Sequence, residues 1–147
     1  MRSFVVNLEC TYPGCGEEYS IDELNKLCIK CGRVLYARYD INAVKKSLSK
    51  EDLIHRDPNM WRYFEMMPVK DPKNVITLGE GFTPIFHAEN LGQVEGYSNL
   101  YIKDEGLNPT ASFKARGLSA ALSKAKELGV KKVTMPSAGN AAGAMAA

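Results

Sequence analysis

"NPTASFKARG", residues 108–117, decides how this chain is read. Asn108-Pro109-Thr110 is a turn signal, Thr110 or Ser112 can supply an N-cap, and an amphipathic run follows. One lysine, Lys114, falls in the first turn of the helix so started. The N-terminal pole of a helix is positive and disfavours a cation. Two readings are open at this point: an ordinary surface lysine in a poor place, or an amine held uncharged and reactive. A lysine that condenses with a carbonyl needs the neutral form, which the helix pole and desolvation both favour.

"PSAGNAAG", residues 136–143, repeats the arrangement. It follows the β-prone "KKVTMPS" and opens the small-residue run "GNAAGAMAA". Ser137, the Gly139 backbone and Asn140 would turn hydroxyl and amide groups toward a small anion at a helix N-terminus. The structural alternative is a plain turn with an asparagine cap. Working outward, "NLYIKDE" reads as a short strand. "SFKARGLSAALSKAKEL" reads as a helix, with Phe113, Leu118, Ala121, Leu122, Ala125 and Leu128 at helical spacing and Gly129 just past its end. Strand, helix, strand, helix in that order predicts an α/β fold with a parallel sheet. Strand-to-helix turns of neighbouring parallel strands open at one edge of the sheet, where such folds bind ligands. A reactive amine and an anion cradle at one edge point to an amino-acid site.

The first forty residues have a different texture. They hold all four cysteines, as Cys10-x4-Cys15 and Cys28-x2-Cys31, each pair followed by a glycine, Gly16 or Gly32. Such turns present two thiolates each to one tetrahedral zinc, and a glycine lets the backbone fold around the sulfurs. The twelve residues between the pairs accommodate a small hairpin built from pieces such as "SFVVNL" and "RVLYARY". Residues 1–40 are therefore expected to form a zinc-ribbon segment with a closed, structural site; four unrelated buried thiols are the alternative. Residues 41–75 read as a helical connector. "INAVKKSLS" follows an Asp40 cap, and "PNMWRYFEMM" lies between Pro58 and Pro68 with Trp61, Phe64 and Met67 as its apolar stripe. Residues 76–147 form the α/β segment.

Bulk composition narrows the function classes. The chain has 147 residues, 45% hydrophobic and 24% charged, with a net charge of +2. This is a soluble globular composition, without the charge footprint of a nucleic-acid binder. No stretch reads as a secretory signal or reaches transmembrane length. A cytoplasmic location is expected, so the cysteines must be explained without disulfides. His55 and His87 show no ligand spacing. Arg116 is either a carboxylate partner near the site or part of a solvated helix face, and Lys103 and Glu105 read as structural charges beside the site. The closing "SAGNAAGAMAA" lacks a cap, and the chain is expected to be the front portion of a longer protein.

"LGEGFTP" (78–84), "KDEGLNPTASFKARG" (103–117) and "PSAGNAAGA" (136–144), with a four-cysteine segment ahead of them, resemble the threonine synthases, a branch of the fold-type II pyridoxal-phosphate enzymes. The resemblance implies a zinc ribbon followed by the start of a fold-type II parallel-sheet domain. It implies that Lys114 carries pyridoxal 5'-phosphate and is the catalytic proton carrier. Phe113 either packs beside the cofactor ring or faces the core. Asn140 would hydrogen-bond the cofactor's phenolic oxygen, and Ser137, Ala138, Gly139, Asn140 and Ala141 would bind the substrate carboxylate. Cys10, Cys15, Cys28 and Cys31 would hold the zinc. The implied reaction converts O-phospho-L-homoserine and water to L-threonine and phosphate. The partners are then a small-molecule substrate, with no nucleic acid and no membrane, and a homodimer is compatible with the full-length protein.

The sequence departs from the family at Ala115, where many members carry Asp, and at Ala138 and Ala141, where many carry Thr. Backbone amides would then do more of the anion binding. The glycine-rich loop for the cofactor phosphate and the partner of the pyridine nitrogen are not among these residues, so the 147 residues alone are expected to be inert. Threonine dehydratase or a related fold-type II enzyme is the alternative within the fold. A zinc-ribbon module binding nucleic acid or protein is the alternative from another class.

Overall fold

Val5–Cys10 (β1) is the middle strand of the first sheet. It pairs antiparallel with Glu18–Ser20 (β2) on one side and Leu35–Tyr39 (β3) on the other, in the order β2-β1-β3. β3 shows the period of two that a half-covered strand requires: Leu35, Ala37 and Tyr39 are half-buried, while Tyr36 and Arg38 are exposed. A register shift between Val5 and Leu8 interrupts the β1–β3 ladder. The computed structural model describes all of residues 1–147. They divide into two compact units, one of residues 1–57, 61–76 and 120–134, the other of 58–60, 77–119 and 135–147.

The first unit contains the three-stranded sheet and its apolar packing. Ile41–Ser47 (α1) starts at Asp40, whose carboxylate accepts the Ala43 N–H at 2.9 Å, as expected from the sequence. Lys50–Ile54 (α2) starts with a reciprocal capping box between Ser49 and Asp52. Val5, Ile21, Val44, Trp61, Phe64 and Val69 are buried. The stretch read as a helix, "PNMWRYFEMM", is instead a 3-10 segment over Met60–Met66, kinked at Tyr63. The reason lies in its apolar residues. Trp61, Phe64 and Met67 recur every three residues, which matches 3.0 residues per turn rather than 3.6. That winding buries Trp61 and Phe64 together, with ring centroids 6.3 Å apart.

Polar ties complete this unit. The Phe4 N–H donates to the Glu65 carbonyl at 3.0 Å, and the Ser3 hydroxyl to the Met67 carbonyl at 2.5 Å. The Glu65 carboxylate receives both terminal nitrogens of Arg56, at 2.7 and 2.8 Å. Glu127 accepts the backbone N–H groups of Lys70 and Asp71 at 2.8 Å.

In the second unit, Ile85–His87 (β4) and Tyr101–Lys103 (β5) pair antiparallel, connected through Glu89–Glu95 (α3). His87 stacks on Tyr101 across this pair, with centroids 4.9 Å apart. Lys114–Glu127 (α4) supplies its first turns to the second unit and its remainder to the first. It ends in a Schellman motif: Val130 N–H bonds the Ala125 carbonyl at 2.9 Å and Gly129 N–H the Lys126 carbonyl at 3.0 Å, with Gly129 at φ 75°. Asn140–Ala146 (α5) follows. The expected leucine stripe on α4 is only half-buried. The buried positions are Ala115, Ser119 and Ser123, four apart, with Ser123 accepting the Ile76 N–H at 2.8 Å.

The mixed α/β character is as expected, but both sheets are antiparallel and no parallel pair occurs among these residues. β5 forms where "NLYIKDE" was read as a strand, whereas "KKVTMPS" belongs to no ladder. An extended segment becomes a strand only when a neighbour takes its backbone hydrogen bonds, and 131–137 pairs with no other strand of this chain. No helix is long and apolar enough to cross a membrane.

The two kinds of ion pair in the first unit should separate by burial. The side chains of Arg56 and Glu65 are 17% and 3% exposed, against 59% and 38% for Lys30 and Glu17. Arg56→Ala leaves a buried carboxylate uncompensated and should destabilise by about 3–5 kcal/mol. Lys30→Ala should leave stability close to that of the parent. Urea unfolding of the two variants beside the parent measures both.

Candidate functional site

Two constellations carry chemistry, one in each unit. In the first, the sulfurs of Cys10, Cys15, Cys28 and Cys31 all lie within 4.8 Å of one another. The separations are 3.4 Å for Cys10–Cys31, 3.7 Å for Cys15–Cys28 and 3.8 Å for Cys15–Cys31. None is in a disulfide. Four sulfurs about 2.3 Å from a central zinc would stand about 3.8 Å apart, so the spacing fits a tetrahedral metal ion. The geometry comes from two turns closed by glycines in the left-handed region, Gly16 at φ 68° and Gly32 at φ 69°. Tyr19 packs against the set and donates its hydroxyl to the Cys28 sulfur at 3.3 Å. That donor brings the Cys28 thiol down to about 6, while burial pushes the Cys10 thiol up to about 12. The Cys28 thiolate forms readily, those of Cys10 and Cys15 are opposed by desolvation, and a bound cation would offset that opposition.

In the second unit the chain enters α4 through a tight turn. Pro109–Ala111 is a single 3-10 turn in which Thr110 and Ala111 have φ of 66° and 51°, the left-handed region that non-glycine residues rarely occupy. Of the two residues expected to cap the helix, Ser112 does so: its hydroxyl accepts the Lys114 N–H at 3.2 Å. Lys114 is half-buried, and its amine lies 3.9 Å from the centroid of the Phe113 ring. Phe113 itself is exposed rather than part of the core.

Around this turn is a polar network in which Arg116 is the carboxylate partner, the first of its two expected readings, and Glu105 is the carboxylate. The side-chain oxygen of buried Asn108 accepts the Gly81 N–H at 3.0 Å, and its amide donates to Glu105 at 2.9 Å. The Glu105 carboxylate also receives the Thr83 hydroxyl at 2.6 Å and two Arg116 nitrogens at 2.6 and 2.7 Å. Arg116, followed by Thr83 and Asn108, holds the Glu105 carboxyl down at about 2. Its charge therefore stabilises the fold fully above its ordinary value of 4.5, and that contribution is lost as pH falls toward 2. Lys103 donates to the Thr83 carbonyl at 2.8 Å. Fully buried Glu80 is opposed by desolvation, but hydrogen bonds from Ser119, Leu78 and Thr77 keep it below its ordinary value. A side chain at Gly81 would place its Cβ 2.6 Å from the Met60 nitrogen, so only glycine fits. The signal available beforehand was two glutamates and an asparagine inside turn-rich motifs with no solvent-facing run to explain them.

Of the residues in the 136–144 loop, Ser137 and Ala141 are half-buried, and Ala138, Gly139 and Asn140 are exposed. The Ser137 hydroxyl accepts the Gly139 N–H at 3.2 Å. Gly139 is the cap of α5 and makes no side-chain cap bond, so Asn140 is the first helical residue and not the cap. α5 packs against the Pro109–Ala111 turn, which brings the two sequence motifs side by side.

Residues 76–147 match the family model described as pyridoxal-phosphate dependent enzyme. The threonine synthase of Methanocaldococcus jannaschii is 42% identical over 133 residues, 90% of this chain and 33% of that protein. The threonine synthase of Methanosarcina acetivorans is 39% identical over 132 residues, 90% of this chain and 32% of that protein. That of Halalkalibacterium halodurans is 44% identical over 94 residues, 60% of this chain and 26% of that protein. The chain spans about a third of the length of the first two relatives. Residues 76–147 thus resemble the pyridoxal-phosphate-dependent enzymes, and over 90% of its length the chain is similar to the N-terminal portion of the threonine synthases.

Proposed function

We propose that the full-length protein is a cytoplasmic threonine synthase that converts O-phospho-L-homoserine and water to L-threonine and phosphate. The observation that supports this reading is the packing of α5 on the Pro109–Ala111 turn, which brings the start of α5 next to the turn that precedes Lys114. We divide the chain into a zinc ribbon (1–40), a connector (41–75) and the start of the cofactor domain (76–147).

When bound, pyridoxal phosphate supplies an electron sink for charge at the substrate's α-carbon. The chain's own residues do the rest. The Lys114 amine would hold the cofactor and would move protons at the substrate's Cα and Cβ. The exposed Phe113 ring flanks the lysine and offers a face to a flat ring. Asn140 would hydrogen-bond the cofactor's phenolic oxygen. The Ser137 hydroxyl and the backbone N–H groups of Ala138, Gly139, Asn140 and Ala141 hold the substrate carboxylate. Ala138 and Ala141 contribute no hydroxyl, so the anion is held mainly by backbone dipoles. The four cysteines hold a structural zinc with no open coordination position.

Borohydride reduction of the full-length protein, followed by peptide mapping, should place the cofactor label on Lys114. Lys114→Ala should lose phosphate release from O-phosphohomoserine by at least about a thousandfold. A label on Lys103 or Lys124 sinks the assignment, and deamination without phosphate release favours the dehydratase.

Metal analysis under reducing conditions should find one zinc per chain. Chelation should then speed amide exchange across Val5–Cys10 and Leu35–Tyr39 while leaving α4 protected, because ligation energy is folding energy in so small a segment. Protein that is zinc-free as isolated, with these strands already protected, refutes the ribbon.

A further inference from the structure

We propose that Glu105 is a positioning residue: its carboxylate clamps both ends of the strained Pro109–Ala111 turn and thereby aims the Lys114 amine. The proposal rests on Lys114 being the cofactor lysine.

The geometry shows a carboxylate used to capacity. An ionised carboxylate has about four lone-pair sites. Glu105 fills them with four donors: Thr83 and one Arg116 nitrogen on one oxygen, Asn108 and the second Arg116 nitrogen on the other. No site is left over for an acid–base role toward a substrate. Two of its partners bracket the turn in sequence, Asn108 just before it and Arg116 in the first turn of α4. Asn108 is itself held from the far side by the Gly81 N–H, so the N-terminal end of the turn is pinned on two sides. Bidentate bonding fixes the Arg116 plane, and with it the azimuth at which α4 starts.

The clamped segment needs such restraint. Thr110 and Ala111 both sit in the left-handed region, and Thr110 is β-branched. Two successive residues of this kind persist only where the surroundings over-determine them. If the turn relaxed to ordinary φ values, the direction in which the chain enters α4 would change and Lys114 would be carried with it. Glu105 thus couples the charge of one side chain to the placement of another that it does not touch.

The test uses the full-length protein loaded with pyridoxal phosphate and three variants, Glu105→Gln, Arg116→Lys and Glu105→Gln/Ala111→Gly. The readouts are amide exchange across 109–114, the fraction of borohydride-trapped cofactor on Lys114, and the pH profile of that trapping. Glu105→Gln should speed exchange in the turn and lower the share trapped on Lys114 by about 10- to 100-fold, the loss expected from a displacement near 1 Å. Arg116→Lys keeps the charge but not the fork, and should show the same change to a smaller degree. It also keeps the test open if Glu105→Gln does not fold. Ala111→Gly removes the strain that the clamp opposes and should recover much of the loss. A purely structural ion pair would lower the melting temperature yet leave the trapped share and its pH profile at parent values below melting, and that result overturns the proposal. Loss of label without recovery by Ala111→Gly overturns it as well. Absence of label on Lys114 in the parent protein instead refutes the assignment of Lys114 on which the proposal depends.

Discussion

The second unit depends on one charge, the carboxylate of Glu105. Its donors come from three separate stretches: Thr83 from the "GEGFTP" loop, Asn108 from the turn before α4, and Arg116 from α4 itself. Hydrogen bonds to an ionised acceptor are roughly twice as strong as neutral ones. A single carboxylate therefore secures loops that have little apolar area of their own to bury. β4 and β5 are exposed at every position, so the sheet cannot supply that order. Glu80 performs a parallel task one loop away, accepting from Thr77, Leu78 and Ser119 while fully buried. Buried carboxylates are expensive to desolvate, and each survives as an ion because donors surround it.

The four-cysteine segment meets a similar shortage of core by other means. Its buried cluster consists of Cys10, Cys15 and Cys28 with Tyr19 and Leu35 against it, while Leu24, Leu27, Ile29 and Val34 are exposed. So few apolar groups cannot order forty residues against the entropy of the chain. Cross-linking through one ion fits the sulfur spacing, and the Tyr19 hydroxyl identifies Cys28 as the thiolate that forms with least opposition.

The elements legible in the sequence were those set by local rules. The Asp40 cap, the paired cysteine turns, the α4 start at Ser112 and the α4 stop at Gly129 depend on residues within a few positions of one another. The elements that were misread depend on distant partners. The "KKVTMPS" segment has strand composition but no ladder. Trp61 and Phe64 follow a 3-10 spacing that a helical template absorbs without complaint. Of the site, the cysteines and the neighbouring placement of the two helix-start loops were legible because each is a motif in itself. The Arg116 partnership with a carboxylate was open as one reading, but the ties of Thr83 to Glu105 and of Gly81 to Asn108 were not legible, because hydrogen bonds between residues 22 and 27 positions apart leave no periodic trace.

Non-glycine residues at Thr110 and Ala111 show what the turn before Lys114 is built to do. Elsewhere in this unit the chain meets a close approach with glycine, as at Gly81, where any side chain would collide with the Met60 backbone. Glycine at both 110 and 111 would likewise remove the strain, but two flexible residues in succession would also admit many other backbone conformations, whereas a glycine at 111 alone leaves Thr110 to limit them. A threonine and an alanine restrict the alternatives, and the Glu105 network then selects the one left-handed arrangement among the few that remain. Strain and restraint thus act together. The backbone is stiff because its residues resist the conformation, and it is placed because a saturated carboxylate holds both of its ends. A reactive amine carried four residues beyond Thr110 inherits that placement without any contact of its own to the group that sets it.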